Sequence, residues 1–351
     1  NSGEDGNTEP GAEELSTDTH ASINLALQQF YLDGFRPHEA DESFEKVIAA
    51  LPALVDEVIP VNEKGNQPAA IAQLPDKMIA LLHFGRSGTG LLHSLIDGHP
   101  EITTLPSVYL RGYFNQGVWG KLSADGWHGL PERFADEFAV LFDARTSKPI
   151  PSRVGEPSYS IGMSEGMTSL GDNRDEFLSL DRAKFCDVAL KLMKDMECVD
   201  PMSFLKVVHA AFEEVNRPTG EQGSNKRLCF YHIHNPDDYA MPNFLRYAPD
   251  TRLLVTFREP IQNCESWLRI DFTKNDHDKC AHKLLGMLFG FDKVPFRLRE
   301  SVGVRLEDLK ARPKATLKAL SIWLGVENSS TLYEMTAQGK KWWGDPTSPD
   351  Y

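Results

Sequence analysis

The ten residues His83-Phe84-Gly85-Arg86-Ser87-Gly88-Thr89-Gly90-Leu91-Leu92 constrain this chain more than any other stretch. They follow an apolar run, Met78-Ile79-Ala80-Leu81-Leu82, of the length and character of a buried strand. They lead into Leu91, Leu92, Leu95 and Ile96, which are spaced as on one face of a helix. A strand, a tight turn and a helix start together form an anion site. The first-turn N–H groups have no partner within the helix, and the positive helix end points at the turn. Ser87 and Thr89 add hydroxyl donors, and Gly85, Gly88 and Gly90 allow the tight turn. Arg86 adds a permanent positive charge with bidentate reach. The expected ligand carries a phosphate or sulfate group.

The loop also limits which anion. A loop for nucleoside triphosphate hydrolysis reads G-x-x-x-x-G-K-[ST], and here no Lys and no Mg²⁺-holding Ser or Thr follows the last glycine. A dinucleotide fingerprint, G-x-G-x-x-G, also fails, because the glycines stand at 85, 88 and 90.

Further strands are expected at Leu228–Ile233, Arg252–Phe257 and Val302–Leu306, with Ile102–Leu105 as a fifth. Helical patterns lie between them, at Leu91–Asp97, Glu132–Phe142, Arg182–Glu197, Pro201–Val215, His277–Phe289 and Pro313–Leu324. Asp200-Pro201 is a strong helix start, with Asp as N-cap and Pro at the first helical position. Strands alternating with helices predict an α/β fold with a central parallel sheet covered on both faces. Residues 1–20 read as a disordered leader. Residues 21–76 read as a helical N-terminal extension, with helical pieces at Ile23–Tyr31 and Ser43–Ile59, and residues 77–351 as the main domain. The aromatic stretch at 107–222 is either an acceptor-binding lid or a helical insertion with its own core.

The net charge of −14 over 351 residues argues against nucleic-acid binding. The absence of an 18-residue apolar run argues against a membrane span. The five cysteines show no metal-binding spacing, and no metal is expected. They fit reduced, buried thiols in the cytoplasm. The alternative compartment is the lumen of the secretory pathway, had an N-terminal anchor been removed. The chain starts without Met, as a piece of a larger polypeptide would.

A second segment, Leu253-Leu254-Val255-Thr256-Phe257-Arg258-Glu259-Pro260, ends a strand at Arg258 and turns into a helix that carries Ser266. With the loop, it resembles the sulfotransferases that use 3′-phosphoadenosine 5′-phosphosulfate (PAPS). The resemblance is co-ordered over residues 77–345 and implies a P-loop-like, three-layer fold. It implies that Arg86-Ser87-Gly88-Thr89 holds the 5′-phosphosulfate, and that Arg258 and Ser266 hold the 3′-phosphate. Val304-Arg305-Leu306-Glu307-Asp308-Leu309-Lys310 with Pro313 is similar to the family's late strand and following helix. Gly339-Lys340-Lys341-Trp342 resembles the basic loop that closes on the 3′-phosphate, so Lys340 and Lys341 join the candidate contacts. Arg86 stands where the common cytosolic pattern has Lys, and Gly90 replaces a second Thr.

Sulfuryl transfer needs a base for the acceptor hydroxyl, a task suited to histidine. Tyr231-His232-Ile233-His234-Asn235-Pro236 closes a strand, and active-site groups of open α/β sheets lie beyond strand carboxyl ends. The resemblance implies His234 as base and His232 as a neighbouring basic contact. Glu101 and Glu156 are weaker carboxylate candidates. His83 and His93 flank the cradle, Arg111 is a candidate acceptor contact, and Trp267 and Trp342 are candidates to stack on adenine. The implied reaction releases 3′-phosphoadenosine 5′-phosphate (PAP). The acceptor classes left open are a small alcohol, a glycan hydroxyl and a β-hydroxyacyl chain on a carrier protein. The rival readings are an ATP-dependent P-loop kinase and a non-catalytic nucleotide-binding module.

Overall fold

The computed structural model describes residues 24, 27, 31, 36–50, 58–61, 74–75, 77–83, 86–106, 110, 112–146, 161–217, 226–233, 240–272, 278 and 300–346. The chain forms two compact units that divide between Pro52 and Ala53. In the first unit, helix α1 (Pro37–Ala50) buries Ala40, Phe44 and Val47, one helical face. The helix expected at Ser43–Ile59 does not extend to its predicted end. The second unit begins with a short strand, β1 (Ile59–Pro60), which pairs antiparallel with Cys198–Val199 in the same unit, and Pro is tolerated there because a two-stranded sheet leaves each strand an edge.

The second unit continues with β2 (Lys77–His83), α2 (Thr89–Asp97) and β3 (Ile102–Thr104). Then come α3 (Gln116–Ser123), α4 (Leu130–Glu137), α5 (Ile161–Ser164), α6 (Arg182–Met193), β4 (Cys198–Val199) and α7 (Pro201–Asn216). The rest comprises β5 (Leu228–Ile233), α8 (Ala240–Tyr247), β6 (Arg252–Phe257), α9 (Pro260–Phe272), β7 (Ser301–Arg305), α10 (Leu306–Ala311), α11 (Pro313–Leu324), β8 (Thr336–Ala337) and β9 (Lys340–Lys341). Asp200 caps α7 as its sequence requires, accepting from the amides of Met202 and Ser203 at 2.8 Å each. The predicted helix at Glu132–Phe142 breaks at Phe138, where φ is −110° and ψ is 44°, and a 3₁₀ turn follows. The helix expected at His277–Phe289 lies outside the described residues, except for Asp278.

Five strands form one parallel sheet in the order β3-β5-β2-β6-β7. This is the expected α/β architecture. Parallel strands covered on both faces read as continuous apolar runs, which is why β2, β5 and β6 were visible in the sequence. One face packs Ile79, Leu81, Phe230 and Leu254 against α2, α10 and α11. On the other face Tyr231 stacks on Phe244 of α8 at 5.0 Å, and Phe114 meets the Tyr231 ring edge-on at 5.5 Å. β2, β5 and β6 end nearly level, with Leu82 opposite Ile233 and His83 opposite Thr256. The segments that follow them therefore leave one edge of the sheet.

The described part of 107–222 has an aromatic core of its own. Tyr113, Trp119, Phe134, Phe138, Phe185 and Phe204 are fully buried and pack against one another in edge-to-face and tilted pairs. Tyr113, Phe114 and Trp119 thus face packed neighbours rather than an open cleft. Two cysteines depart from the buried expectation: Cys198 is exposed on β4, and Cys264 is half-buried on α9. Among the described residues no helix is long and apolar enough to cross a membrane.

Candidate functional site

The site is built on the carboxyl ends of β2 and β6. After β2 the chain turns through Arg86, whose φ of 67° is a left-handed conformation that non-glycine residues rarely adopt. Gly88 has φ of 86°, and a Cβ there would stand 2.5 Å from Leu306 Cδ1, so the position demands glycine twice over. Helix α2 starts at Thr89, and its first internal bond runs from the Leu92 amide to the Gly88 carbonyl. The amides before Leu92 are the orphan donors that an anion can take.

The loop hydroxyls point elsewhere. Ser87 Oγ lies 2.8 Å from Thr256 Oγ1, Thr89 Oγ1 lies 2.9 Å from the same atom, and the two loop hydroxyls are 3.3 Å apart. All three side chains are buried. This triangle ties the loop to the end of β6, so the cradle rests on backbone amides and Arg86. Thr256 has no distinguishing sequence signal. It reads as an ordinary β-branched strand residue, and only the pairing of β2 with β6 reveals its role.

The second segment comes to the first. Arg86 Nε donates to Ser266 Oγ at 3.1 Å, joining the turn after β2 to α9 across 180 residues of sequence. Arg258, half-buried, directly follows β6. Pro260 opens α9 rather than merely ending β6, and Glu259 caps the helix by accepting from the Gln262 amide at 2.8 Å.

His232 lies on β5 opposite Leu81, half-buried, with its ring 5.9 Å from that of His93 on α2. His93 is buried and meets Phe230 edge-on at 5.3 Å. Burial holds the His93 imidazole below its ordinary pKa, while the nearby Asp97 carboxylate and Leu105 carbonyl oppose that shift. Behind it, His209 of α7 is pushed down to about 3 by burial and then by His93. Burial thus disfavours the charged form of both His93 and His209. His234, Gly85, Glu156, Arg111 and the side chains of His83 and Trp267 lie outside the described residues. Glu101 is committed to structure: it accepts from the Glu327 amide at 2.7 Å and pairs with Arg227 at 2.6 Å, contacts that hold its carboxyl below the ordinary range.

The C-terminal hairpin β8–β9 packs on α2. Asp97 takes three donors, Thr104 Oγ1 at 2.6 Å, Thr336 Oγ1 at 2.8 Å and the Gly339 amide at 3.1 Å. Trp342 is buried against Gly90, where an added Cβ would stand 3.3 Å from the indole Cη2. That contact is a physical reason for glycine at position 90. The indole N–H of Trp342 donates to the Glu165 carbonyl at 3.0 Å, so this ring is a packing element and not a free stacking platform. Lys340 and Lys341 turn toward the segment 172–177. Lys340 Nζ pairs with Glu176 at 2.9 Å, and Lys341 Nζ pairs with Asp172 at 3.2 Å while lying 4.1 Å over the Trp343 ring. No described contact joins either lysine to Arg86, Ser266 or Arg258.

One titratable group beside the loop carries no sequence signal. Glu165 follows the short helix α5 and lines a cavity with Gly90, His93, Asp97, Met167 and Trp342, with room for about one water. Burial, reinforced by the Asp345 carboxylate, pushes its carboxyl up to about 7, and Arg86 pulls the other way. Among the described residues no group of three or more His, Cys, Asp and Glu side chains is placed to hold a metal ion.

No family model matches the chain, and no curated protein does. Among solved structures, a chain described as a sulfotransferase domain from the curacin biosynthetic pathway is similar at 18% identity, with a TM-score of 0.36. The likeness covers 74% of this chain and 77% of that one.

Proposed function

We propose that this protein transfers a sulfuryl group from PAPS to an acceptor hydroxyl and releases PAP. The observation that carries the proposal is the bond from Arg86 to Ser266. It brings together the two segments that the motif resemblance assigns to the two phosphate-bearing ends of one nucleotide. A nucleotide with a single phosphate chain would need only the first.

The residues fit such a ligand on chemical grounds. The α2 amides and Arg86 supply fixed positive potential for the 5′-phosphosulfate. Arg258 and Ser266 supply a charged donor and a hydroxyl for the 3′-phosphate, and requiring that phosphate is how the site would refuse ATP. Ser87 and Thr89 act through Thr256, holding the loop in its left-handed turn rather than touching the ligand. Lys340 and Lys341 are left out of this assignment, because acidic partners already hold both charges.

In the proposed reaction His234 takes the proton of the acceptor hydroxyl as the acceptor oxygen bonds to sulfur. The bond between sulfur and the 5′-phosphate oxygen breaks, and Arg86 with the loop amides takes up the charge developing there. His232 is the neighbouring polar contact. The acceptor is a small alcohol, a glycan hydroxyl or a carrier-bound β-hydroxyacyl chain. Calorimetric titration tests the nucleotide half of the proposal: PAP binds, and ADP, which lacks the 3′-phosphate, binds far more weakly. Equal affinity for the two would remove it.

A further inference from the structure

One edge of the Trp342 indole lies against two glycine backbones. At Gly90, the second residue of α2, an added Cβ would stand 3.3 Å from Cη2 and 3.8 Å from Cζ2. At Gly166, whose φ of 72° already favours glycine, it would stand 3.2 Å from Nε1. The N–H at that position donates to the Glu165 carbonyl at 3.0 Å, which fixes the orientation of the buried ring. The hairpin β8–β9, which leads into Trp342, is tied to the other end of α2. Thr336 Oγ1 and the Gly339 amide donate to Asp97 at 2.8 Å and 3.1 Å, and Gln338 Nε2 donates to the Thr104 carbonyl at 3.1 Å. The Trp342 amide donates to the Met335 carbonyl at 2.9 Å and closes this unit. The C-terminal segment therefore braces α2 from Asp97, at its end, to Gly90, in its first turn. That first turn presents the free amides that an anion can take. Leu306 of α10 meets the same turn at Gly88. The cavity beside Gly90 has room for about one water, too little for the turn to move into.

We propose that Trp342 is a positioning residue for the anion cradle: by filling the slot between Gly90 and Gly166, it sets where the first-turn amides of α2 stand. The ring acts through Gly90 and not by contact with the ligand. An anion at a helix start is held by several amides at once, so a displaced turn misaligns all of those bonds together. The effect of Trp342 therefore falls on ligand affinity as well as on stability. The inference rests on the proposed reading of the loop as an anion cradle.

Sulfate is the probe, and its affinity is measured by calorimetry in the wild-type protein, Trp342→Phe, Gly90→Ala and the variant with both substitutions. Phe keeps a buried aromatic ring but loses the indole N–H and the second ring. Trp342→Phe is expected to weaken sulfate binding about fivefold, the worth of about one hydrogen bond. Gly90→Ala pushes the turn off the intact indole and weakens binding to a similar degree. In the double variant the added Cβ enters the space left by the shorter ring, so its loss is smaller than the product of the two single losses. Phe204→Leu, in the aromatic core on α7, is the control: it lowers the denaturant midpoint and leaves sulfate affinity unchanged. A Trp342 that serves stability alone would behave as this control does. Should Trp342→Phe not fold, Gly90→Ala tests the same contact with every atom of the ring in place. Unchanged affinity in either single variant, or losses that simply multiply in the double variant, overturns the positioning role and leaves the cradle standing. Absence of sulfate binding in the wild-type protein overturns the cradle, and the positioning role with it.

Discussion

Arg86 Nε and Ser266 Oγ meet at 3.1 Å, although 180 residues separate them in the chain. The sheet makes the meeting unavoidable. β2 and β6 are neighbours with His83 opposite Thr256, so the turn after one and the helix after the other share a single edge. The buried hydroxyl triangle of Ser87, Thr89 and Thr256 then fixes the turn to its neighbour. The two candidate phosphate positions are thereby parts of one rigid corner.

Arg258→Ala is expected to lose most PAP binding, a change of about 1.5–3 kcal/mol for a charged hydrogen-bonding group. Ser266→Ala removes a neutral hydroxyl and also releases Arg86, with an expected loss of about 0.5–1.5 kcal/mol. Calorimetry with PAP measures both. A larger effect for the serine than for the arginine would reverse the assigned order.

Gly90 distinguishes packing from chemistry. Gly90→Ala gains about 0.5–1 kcal/mol of helix propensity and meets Trp342 Cη2 at 3.3 Å, so the two effects nearly cancel. Gly90→Thr adds two more atoms into the same contact and is expected to destabilise by about 1–3 kcal/mol. Denaturant midpoints of the two variants test this; equal midpoints would show that Trp342 yields freely.

Asp97→Asn tests how the hairpin is held. The carboxylate accepts from two hydroxyls and the Gly339 amide, and an asparagine NH₂ cannot accept from that amide. The expected loss is about 1–3 kcal/mol, with greater solvent exposure of Trp342 seen as a red shift in tryptophan emission. An unshifted spectrum would show the hairpin to be held by other contacts.

Glu165 also gives stability a pH dependence of defined sign. Its folded pKa is raised, so the unfolded state loses its proton first as pH rises. The destabilisation is absent below the ordinary carboxylate range, grows above pH 4.5 and is complete above about pH 7. Discounted for partial exposure, it amounts to about 1–3 kcal/mol. Glu165→Gln is therefore expected to be more stable than wild type at pH 8, with that advantage gone at pH 4. Parallel stability curves across this range would contradict the burial assigned to the carboxyl.

The sheet was legible in the sequence because β2, β5 and β6 are buried on both faces and show unbroken apolar runs. The start of α7 was legible because Asp200 and Pro201 are local signals. Within the site, Arg86 and Gly88 could be singled out because the strand, the Gly/Ser/Thr turn and the helix start that carry them are contiguous in the chain. Thr256, Glu165 and Trp342 could not, since each acquires its role from a partner more than 150 residues away. The inward turn of Ser87 and Thr89 has the same cause: their partner hydroxyl, Thr256 Oγ1, sits on β6. Lys340 and Lys341 read as candidate phosphate contacts, and no local signal shows that the segment 172–177 places Glu176 and Asp172 beside them.

Sulfur-35-labelled PAPS incubated with the protein and members of the three acceptor classes tests the central claim most directly. The proposed function predicts label on one acceptor with an equal amount of PAP released, undiminished when Mg²⁺ is chelated, and predicts that His234→Ala abolishes turnover while still binding PAP. Full turnover by His234→Ala would contradict the mechanism, and Mg²⁺-dependent phosphate transfer from ATP in place of PAP release would contradict the function itself.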